Sequence, residues 1–380
     1  MQPVPPRAKI AFVATEDWFV ASHFLPMIRA AAGLGLEVIV ATRVRDHAGP
    51  IAAAGGRLVP LEAERRSLSP FATASAVSRL AAIFRTERPD IVHCISLKGI
   101  MTGAAAARLA GIDRRILAVT GFGLLGAKTD LVGRSARLAL RAAIRSGLAS
   151  AGTHFLFENS DDPALLGLAA TDPRVTIVGG AGVDPQAFAA APMPLQPPLK
   201  VALVSRMLWS KGADIAVEAV TRARARGHDI TLSLYGAPDP DNPKAIPGAR
   251  LAEWQSRDGI AWHGRTRDVG AVWRGYHVCC LPSRGGEGLP RSLLEGAACG
   301  RAILTTDVPG CRSFVRDGVE GFVVPPDDAA ALAERLAELA ADPARVAAMG
   351  AAARARVLGG YTEEAVMATV ADLYRGMLAR

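Results

Sequence analysis

Short apolar runs alternate along this chain with longer stretches in which apolar positions recur every three or four residues. Runs of the first kind, bounded by turn residues and apolar on both faces, predict strands buried in parallel sheets. Stretches of the second kind predict the helices that cover those sheets. In the first half the runs fall at residues 9–14, 36–41, 57–60, 91–95, 115–119, 154–157 and 175–178, with a helix predicted over 22–32. In the second half they fall at 200–204, 230–235, 260–263, 277–281, 302–305 and 321–324. Residues 329–339, 343–357 and 362–378 read as closing helices, the last with Ala365, Val366, Thr369, Val370 and Leu373 along one face. The pattern predicts an α/β fold of two Rossmann-like domains facing across a cleft, with ligands at the carboxyl ends of the strands.

Residues 191–198 hold four prolines in eight positions, which suits an extended linker and excludes a helix. The expected division is therefore a first domain over 1–190, a second over 191–360, and a terminal helix over 361–380 that crosses back to the first. The length, 380 residues, suits two domains, and half the residues are apolar, enough for large cores. No apolar run approaches the ~18 residues that span a bilayer. The opening MQPVPPRAKIAFVATED lacks the charged and apolar segments of a secretory signal. Five cysteines without CxxC spacing (Cys94, Cys279, Cys280, Cys299 and Cys311) point to a reducing cytoplasm and away from a disulfide framework or structural zinc.

Charge adds a first hint of chemistry. The chain carries 44 Lys and Arg against 36 Asp and Glu, net +8, and only six of the basic residues are lysines. A GC-rich coding sequence would give this arginine excess; so would an anionic substrate, membrane or nucleic acid. Residues 1–190 hold 21 basic and 15 acidic residues, residues 191–380 hold 23 and 21, so the excess concentrates in the first half.

Two loops carry the candidate chemistry. After the strand at 200–204 comes SRMLWSKG, from Ser205, with Arg206 and Lys211 flanking a loop that opens a helix. Cations beside helix N-terminal amides suit a diphosphate, Arg as a fork and Lys as a point charge. After the strand at 277–281 comes Ser283-Arg284-Gly285-Gly286-Glu287-Gly288-Leu289-Pro290, with Pro290 as the first helical residue and Glu295 about 7.5 Å along the axis. Glu295 there could accept hydrogen bonds from ribose hydroxyls, or be a solvated helix residue. Glu287 could face a transferred group, or simply favour the helix dipole.

Together the two loops resemble glycosyltransferase family 4, the retaining glycosyltransferases of GT-B fold. The resemblance rests on the Glu287–Glu295 pair within PSRGGEGLPRSLLEGAACGRAILTTDVPGCRSFVRDGVEGFVVPPDD, on Arg206 and Lys211 in SRMLWSKG, and on IVGGAGVD from Ile177. EDWFVASHFLPMIRAA from Glu16, HCISLKGIMTGAAAARLAG from His93 and TGFGLLG from Thr120 resemble bacterial members that build O-antigen, capsule or exopolysaccharide. The resemblance implies a nucleoside-diphosphate sugar donor, a UDP-sugar, and no cofactor or metal. Arg206 and Lys211 would hold the diphosphate, Glu295 the ribose and Glu287 the donor sugar. Gly288, Leu289 and Pro290 would line the donor, and Arg265 would lie near the base. The only Asp-x-Asp, Asp239-Pro240-Asp241, reads as a turn rather than a metal site. Many members carry a histidine after the strand at 115–119; here the chain reads Val119-Thr120-Gly121-Phe122-Gly123.

The acceptor, a glycan or polyprenyl-diphosphate-linked sugar, is expected on the first domain at Trp18, His23, His93 and Lys98. Each histidine has an equal structural reading, and Trp18 either stacks on a sugar or packs on its domain. Arg134, Arg137, Arg141 and Arg145 fall at helical spacing with Leu131, Leu138 and Leu148 beside them, and Arg65 and Arg66 lie in the same half. The stripe suits an anionic inner-membrane surface, or is a solvated face. The expected place is thus cytoplasmic, peripheral at the inner face of the plasma membrane. A GT-B-like nucleotide-sugar epimerase and a non-catalytic nucleotide-sugar-binding protein are the alternatives; the first would lack the paired glutamates. A NAD-dependent enzyme would need GxGxxG after the first strand, where Ala14-Thr15-Glu16-Asp17-Trp18 stands. RNA binding is disfavoured because aromatics are only 5% of residues.

Overall fold

The computed structural model describes residues 7–61, 69–123, 131–239 and 242–379, except the side chains at 131, 132, 136, 145 and 146. The chain forms two compact units, residues 1–182 with 363–380, and residues 183–362. Unit 1 holds strands β1 (Lys9–Glu16), β2 (Glu37–Arg43), β3 (Gly56–Pro60), β4 (Ile91–Ile95), β5 (Arg115–Val119), β6 (Thr153–Phe157) and β7 (Val175–Ile177). They pair in parallel in the order β3-β2-β1-β4-β5-β6-β7. Unit 2 holds β8 (Leu199–Val204), β9 (Ile230–Tyr235), β10 (Ile260–Gly264), β11 (Val278–Leu281), β12 (Ala302–Thr306) and β13 (Gly321–Val324). Their order is β10-β9-β8-β11-β12-β13, again parallel. Both are doubly wound sheets, with β4 and β11 reversing the direction in which strands are added.

Each sheet buries both faces, which is why its strands read as continuous apolar runs. In unit 1 the helices Leu25–Gly33 and Glu363–Leu378 cover one face, and Pro70–Glu87 and Ser96–Leu109 the other. The Glu363–Leu378 helix buries Val366, Val370, Leu373, Tyr374 and Met377. Burial of side chains of this size contributes about 1.5–3 kcal/mol each. The face is rotated from the predicted one: Thr369 is exposed and bonds back to the Ala365 carbonyl, while Tyr374 and Met377 take its place.

Two predictions about local structure need correction. The helix expected over 22–32 is two helices, Asp17–His23 and Leu25–Gly33, broken at Phe24 ahead of Pro26. Proline has no N–H to continue the ladder, so it opens the second helix instead. The proline-rich stretch is not a free linker. The chain leaves unit 1 at Gly182, and residues 183–198 are fastened to unit 2. Val183 N–H donates to the Tyr361 carbonyl at 3.1 Å. Buried Arg301 donates to the Ala191 carbonyl at 2.5 Å, His277 bonds the Pro194 carbonyl at 2.9 Å, and Gln196 donates to the carbonyls of Leu339 and Ala340. Proline removes donors but leaves carbonyls, and those carbonyls are what unit 2 holds.

His93 also lies elsewhere than predicted. It sits within β4, fully buried, stacked on Phe12 at 4.8 Å and edge-on to Phe24, with Nδ1 3.0 Å from the Tyr374 hydroxyl. It is a core residue that helps seat the C-terminal helix and is closed to any acceptor. Burial pushes its imidazole down to about 3. The folded state therefore refuses a proton that the unfolded chain accepts below its ordinary value of 6.5. This contribution is complete above pH 6.5 and is lost as pH falls toward 3. Between pH 7 and pH 5 the wild type should lose roughly 2 kcal/mol more stability than His93→Gln. Urea unfolding of both proteins at the two pH values measures this; equal losses would refute it.

Candidate active site

The carboxyl ends of β8 and β11 lie side by side at the point where the strand order reverses, so the loops that follow them part in opposite directions. Such a switch point leaves a crevice unfilled by either connection. The loop after β8 runs beside Ala237 and Ile246: Met207 N–H donates to the Ala237 carbonyl and Ile246 N–H to the Met207 carbonyl. It ends in a short turn, Trp209–Lys211, before the helix Ala213–Ala225. Between them Gly212 has φ +71°, and a Cβ there would meet the Pro282 carbonyl oxygen at 1.9 Å. Only glycine lets the start of this helix lie against the end of β11.

That approach brings two predicted residues together. Lys211 Nζ lies 2.7 Å from both carboxylate oxygens of Glu287, and both side chains are largely buried. Ser283 Oγ joins them, 3.3 Å from Glu287 Oε1 and 3.3 Å from the Ser210 carbonyl. Gly285 and Gly286 adopt φ of +108° and +79°, turning the chain back so that Glu287 faces Lys211. Gly310 allows the opposite wall to close in, since a Cβ there would sit 1.9 Å from the Gly288 carbonyl oxygen.

The remaining residues predicted to meet the donor are placed separately. Arg206 donates to Asp239 at 3.1 Å. Asp239 of the Asp-x-Asp is thus the partner of a candidate phosphate ligand; residues 240 and 241 lie outside the described residues. Glu295, buried in the helix Arg291–Ala298, accepts from Arg291 Nε at 2.8 Å. Burial raises its carboxyl above the usual range while Arg291 draws it back. It is not a solvated helix residue. Pro290 precedes the helix rather than opening it, and Leu289 is in the core. Proline has no N–H and the leucine side chain faces inward, so any donor contact from these two is made by backbone. Arg265 is exposed beyond Gly264 at the end of β10. Gly236 N–H donates to the Gly264 carbonyl at 2.7 Å, and a Cβ at Gly236 would meet the Ser205 oxygen at 1.8 Å, tying the ends of β8, β9 and β10 together.

In unit 1 the corresponding switch point lies between β1 and β4. Trp18 and His23, half-buried, belong to the Asp17–His23 helix that follows β1; Trp18 is edge-on to Phe19 at 5.6 Å, and His23 Nδ1 is 2.6 Å from Ser22 Oγ. Lys98 is half-buried in the first turn after β4, where Ser96 adopts φ +64°. These three gather at one sheet edge; His93 does not join them. On the Leu131–Ala143 helix Arg134 and Leu138 are exposed, whereas Arg137 and Arg141 are half-buried. Arg141 lies against Gly167, whose added Cβ would sit 2.2 Å from the Arg141 Cζ atom. The side chain of Arg145, and Arg65 and Arg66 entirely, lie outside the described residues.

Arg284 and Asp214 escaped the sequence reading. Arg284 forks onto both Asp214 oxygens at 2.8 and 2.7 Å and also binds Asp327. The partners are 70 and 43 residues away, so no local pattern reports them.

Two family models match the chain. The family described as glycosyl transferases group 1 matches residues 198–342, and the one described as glycosyl transferase 4-like matches residues 9–157. The chain is a glycosyltransferase. The N,N'-diacetylbacillosaminyl-diphospho-undecaprenol alpha-1,3-N-acetylgalactosaminyltransferase of Campylobacter jejuni is 22% identical over 352 residues, 88% of this chain and 90% of the relative. A phosphatidyl-myo-inositol mannosyltransferase of Mycobacterium tuberculosis is 32% identical over 132 residues, 33% of each chain. Among solved structures, sucrose-phosphate synthase from Thermosynechococcus elongatus matches with TM-score 0.77 at 19% identity, over 98% of this glycosyltransferase and 100% of that chain. HepE of Anabaena in complex with UDP-glucose matches with TM-score 0.77 at 15% identity, over 97% and 99%. At these identities the likeness is one of fold, the GT-B fold.

Gly212→Ala tests whether the close approach underlies the site. The left-handed backbone alone should cost about 1–2 kcal/mol, and the contact with the Pro282 carbonyl adds to it. Urea unfolding should show that loss together with loss of sugar transfer. A fully active, equally stable variant would show that Lys211 and Glu287 do not depend on this contact.

Proposed function

We propose that this glycosyltransferase moves a sugar from a nucleoside-diphosphate donor, a UDP-sugar, to a polyprenyl-diphosphate-linked sugar or glycan, with retention and without a metal ion, in bacterial surface polysaccharide synthesis. The observation that carries the reading is the Lys211–Glu287 pair at the unit 2 switch point. A donor diphosphate takes Lys211 as its counter-charge, and Arg206 exchanges Asp239 for phosphate oxygen. Glu287, released from Lys211, accepts from hydroxyls of the donor sugar, and Glu295 from the ribose. The bond between the anomeric carbon and the phosphate oxygen breaks through an oxocarbenium-like state, its electron pair leaving with the diphosphate. The acceptor oxygen bonds to that carbon and its proton passes to a phosphate oxygen. Once engaged with the donor, the two cations stabilise the departing charge without further rearrangement during the step itself.

The acceptor is assigned to unit 1, at Trp18, His23 and Lys98. The diphospho-undecaprenol in the name of the Campylobacter relative supports a lipid-diphosphate acceptor, and the UDP-glucose bound by HepE supports the donor class. No helix of the described residues is long and apolar enough to cross a membrane. The reading places the protein at the inner membrane surface through the Leu131–Ala143 helix, with Arg134, Arg137 and Leu138 nearest the lipid and Arg141 held partly by its own unit.

A donor panel tests the chemistry: UDP-, GDP- and ADP-sugars with a polyprenyl-diphosphate-sugar acceptor, with and without EDTA. Transfer from a UDP-sugar that survives EDTA is expected. Glu287→Gln and Lys211→Gln should each lower kcat/KM by about 10²-fold or more, with melting followed in parallel because each leaves its partner without a counter-charge. Wild-type turnover in either variant would overturn the site. For the membrane, Arg134→Gln/Arg137→Gln should co-sediment less with anionic vesicles and equally with neutral ones. Undiminished co-sedimentation with anionic vesicles would remove this helix from the proposal.

A further inference from the structure

We propose that Arg284 is a positioning residue of the donor site, a clamp that holds Lys211 and Glu287 in register. The inference rests on the reading of that site given above. Arg284 lies three residues before Glu287, and its guanidinium reaches both sides of Lys211. On one side it binds the carbonyl of Trp209. On the other, Nη1 and Nη2 take the two oxygens of Asp214 at 2.8 and 2.7 Å. Its backbone N–H donates to the Ser210 carbonyl at 2.8 Å. Residues on either side of Lys211 along the chain, at positions 209, 210 and 214, are therefore bonded to a single residue of the Glu287 loop.

The third arm points to a purpose beyond joining two loops. Arg284 Nε binds Asp327, which follows β13. Asp327 adopts φ +61°, a left-handed backbone that glycine takes freely and an aspartate only with strain. A carboxylate at this position is useful for its bond to Arg284, and the two carboxylates raise the guanidinium above its already high value. Only a planar fork can reach Asp214, Asp327 and the Trp209 carbonyl together; a lysine ammonium cannot. Small displacements of reacting groups are expensive, about 10²-fold in rate for 1 Å. Lys211 and Glu287 stand on loops that come from strands more than seventy residues apart, so their spacing depends on whatever ties those loops together.

The test uses the full chain with Arg284→Ala, Arg284→Lys and Asp327→Gly. In Arg284→Ala, amide hydrogen exchange should rise in residues 205–212 and 284–289 while β8 and β11 keep their protection. Its kcat should fall by about 10–100-fold with donor KM changed much less. Added guanidinium should restore part of that kcat but none of the activity of Lys211→Gln, and Arg284→Lys should remain slow. Asp327→Gly removes one arm and relieves the strained backbone, so kcat should fall several-fold while the melting temperature holds or rises, a combination that a merely structural role would not give. Unchanged exchange in both loops, or wild-type kcat in Arg284→Ala, would overturn the clamp. If the wild type transfers no sugar from any donor, the proposed function fails, and the exchange measurement still decides whether Arg284 holds the loops.

Discussion

Strands β8 and β11 are hydrogen-bonded neighbours whose outgoing connections run in opposite directions. Most of what unit 2 can do follows from that constraint. A parallel sheet wound both ways leaves its central carboxyl edge without a covering connection, so polar and charged groups can sit there without filling space that apolar packing requires. The chain then has to bring the two diverging loops back together. It does so where side chains are absent or small: Gly212 lies against the Pro282 carbonyl, Gly310 against Gly288, and Gly236 against Ser205. These backbone approaches place the helix start beside the strand end, and the ion pair of Lys211 and Glu287 is the result.

The same logic gives the charge a more local meaning. Many of the arginines that make the chain basic are engaged with carboxylates or carbonyls of their own unit. Arg57 pairs with Glu37 and Glu87, Arg174 with Asp172, Arg316 with Glu320, and Arg301 serves backbone carbonyls from full burial. An excess of arginine is therefore partly a supply of forked donors for loops that need fastening. Arg284 is such a residue at the edge of the proposed donor site.

Strand positions were legible because burial on both faces writes a continuous apolar run into a local stretch of sequence. The chain order of strands and helices, and hence the doubly wound class, followed from that alone. Helix boundaries were less legible: the break at Phe24 depends on which side of Pro26 the chain turns. His93 looked like a site residue because it sits near a strand end, but β4 is buried on both faces, and the His93 ring packs in the core between Phe12 and Tyr374. The proline-rich stretch read as a linker because its own composition forbids regular structure. Its carbonyls are held by His277 and Arg301, and its Gln196 donates to the Leu339 and Ala340 carbonyls, contacts that no window of eight residues contains.

By itself the sequence determined the α/β class, the two-part build, and the residue types available at each strand end, Lys211, Glu287 and Glu295 among them. These are properties of neighbouring residues, and periodicity and glycine placement record them directly. Only the tertiary structure decided which charges meet. Lys211 faces Glu287, Arg206 faces Asp239, and Arg284 spans Asp214 and Asp327. The physical reason is that a charged pair forms across whatever distance in sequence the sheet order closes in space, and the sequence carries no local mark of that distance.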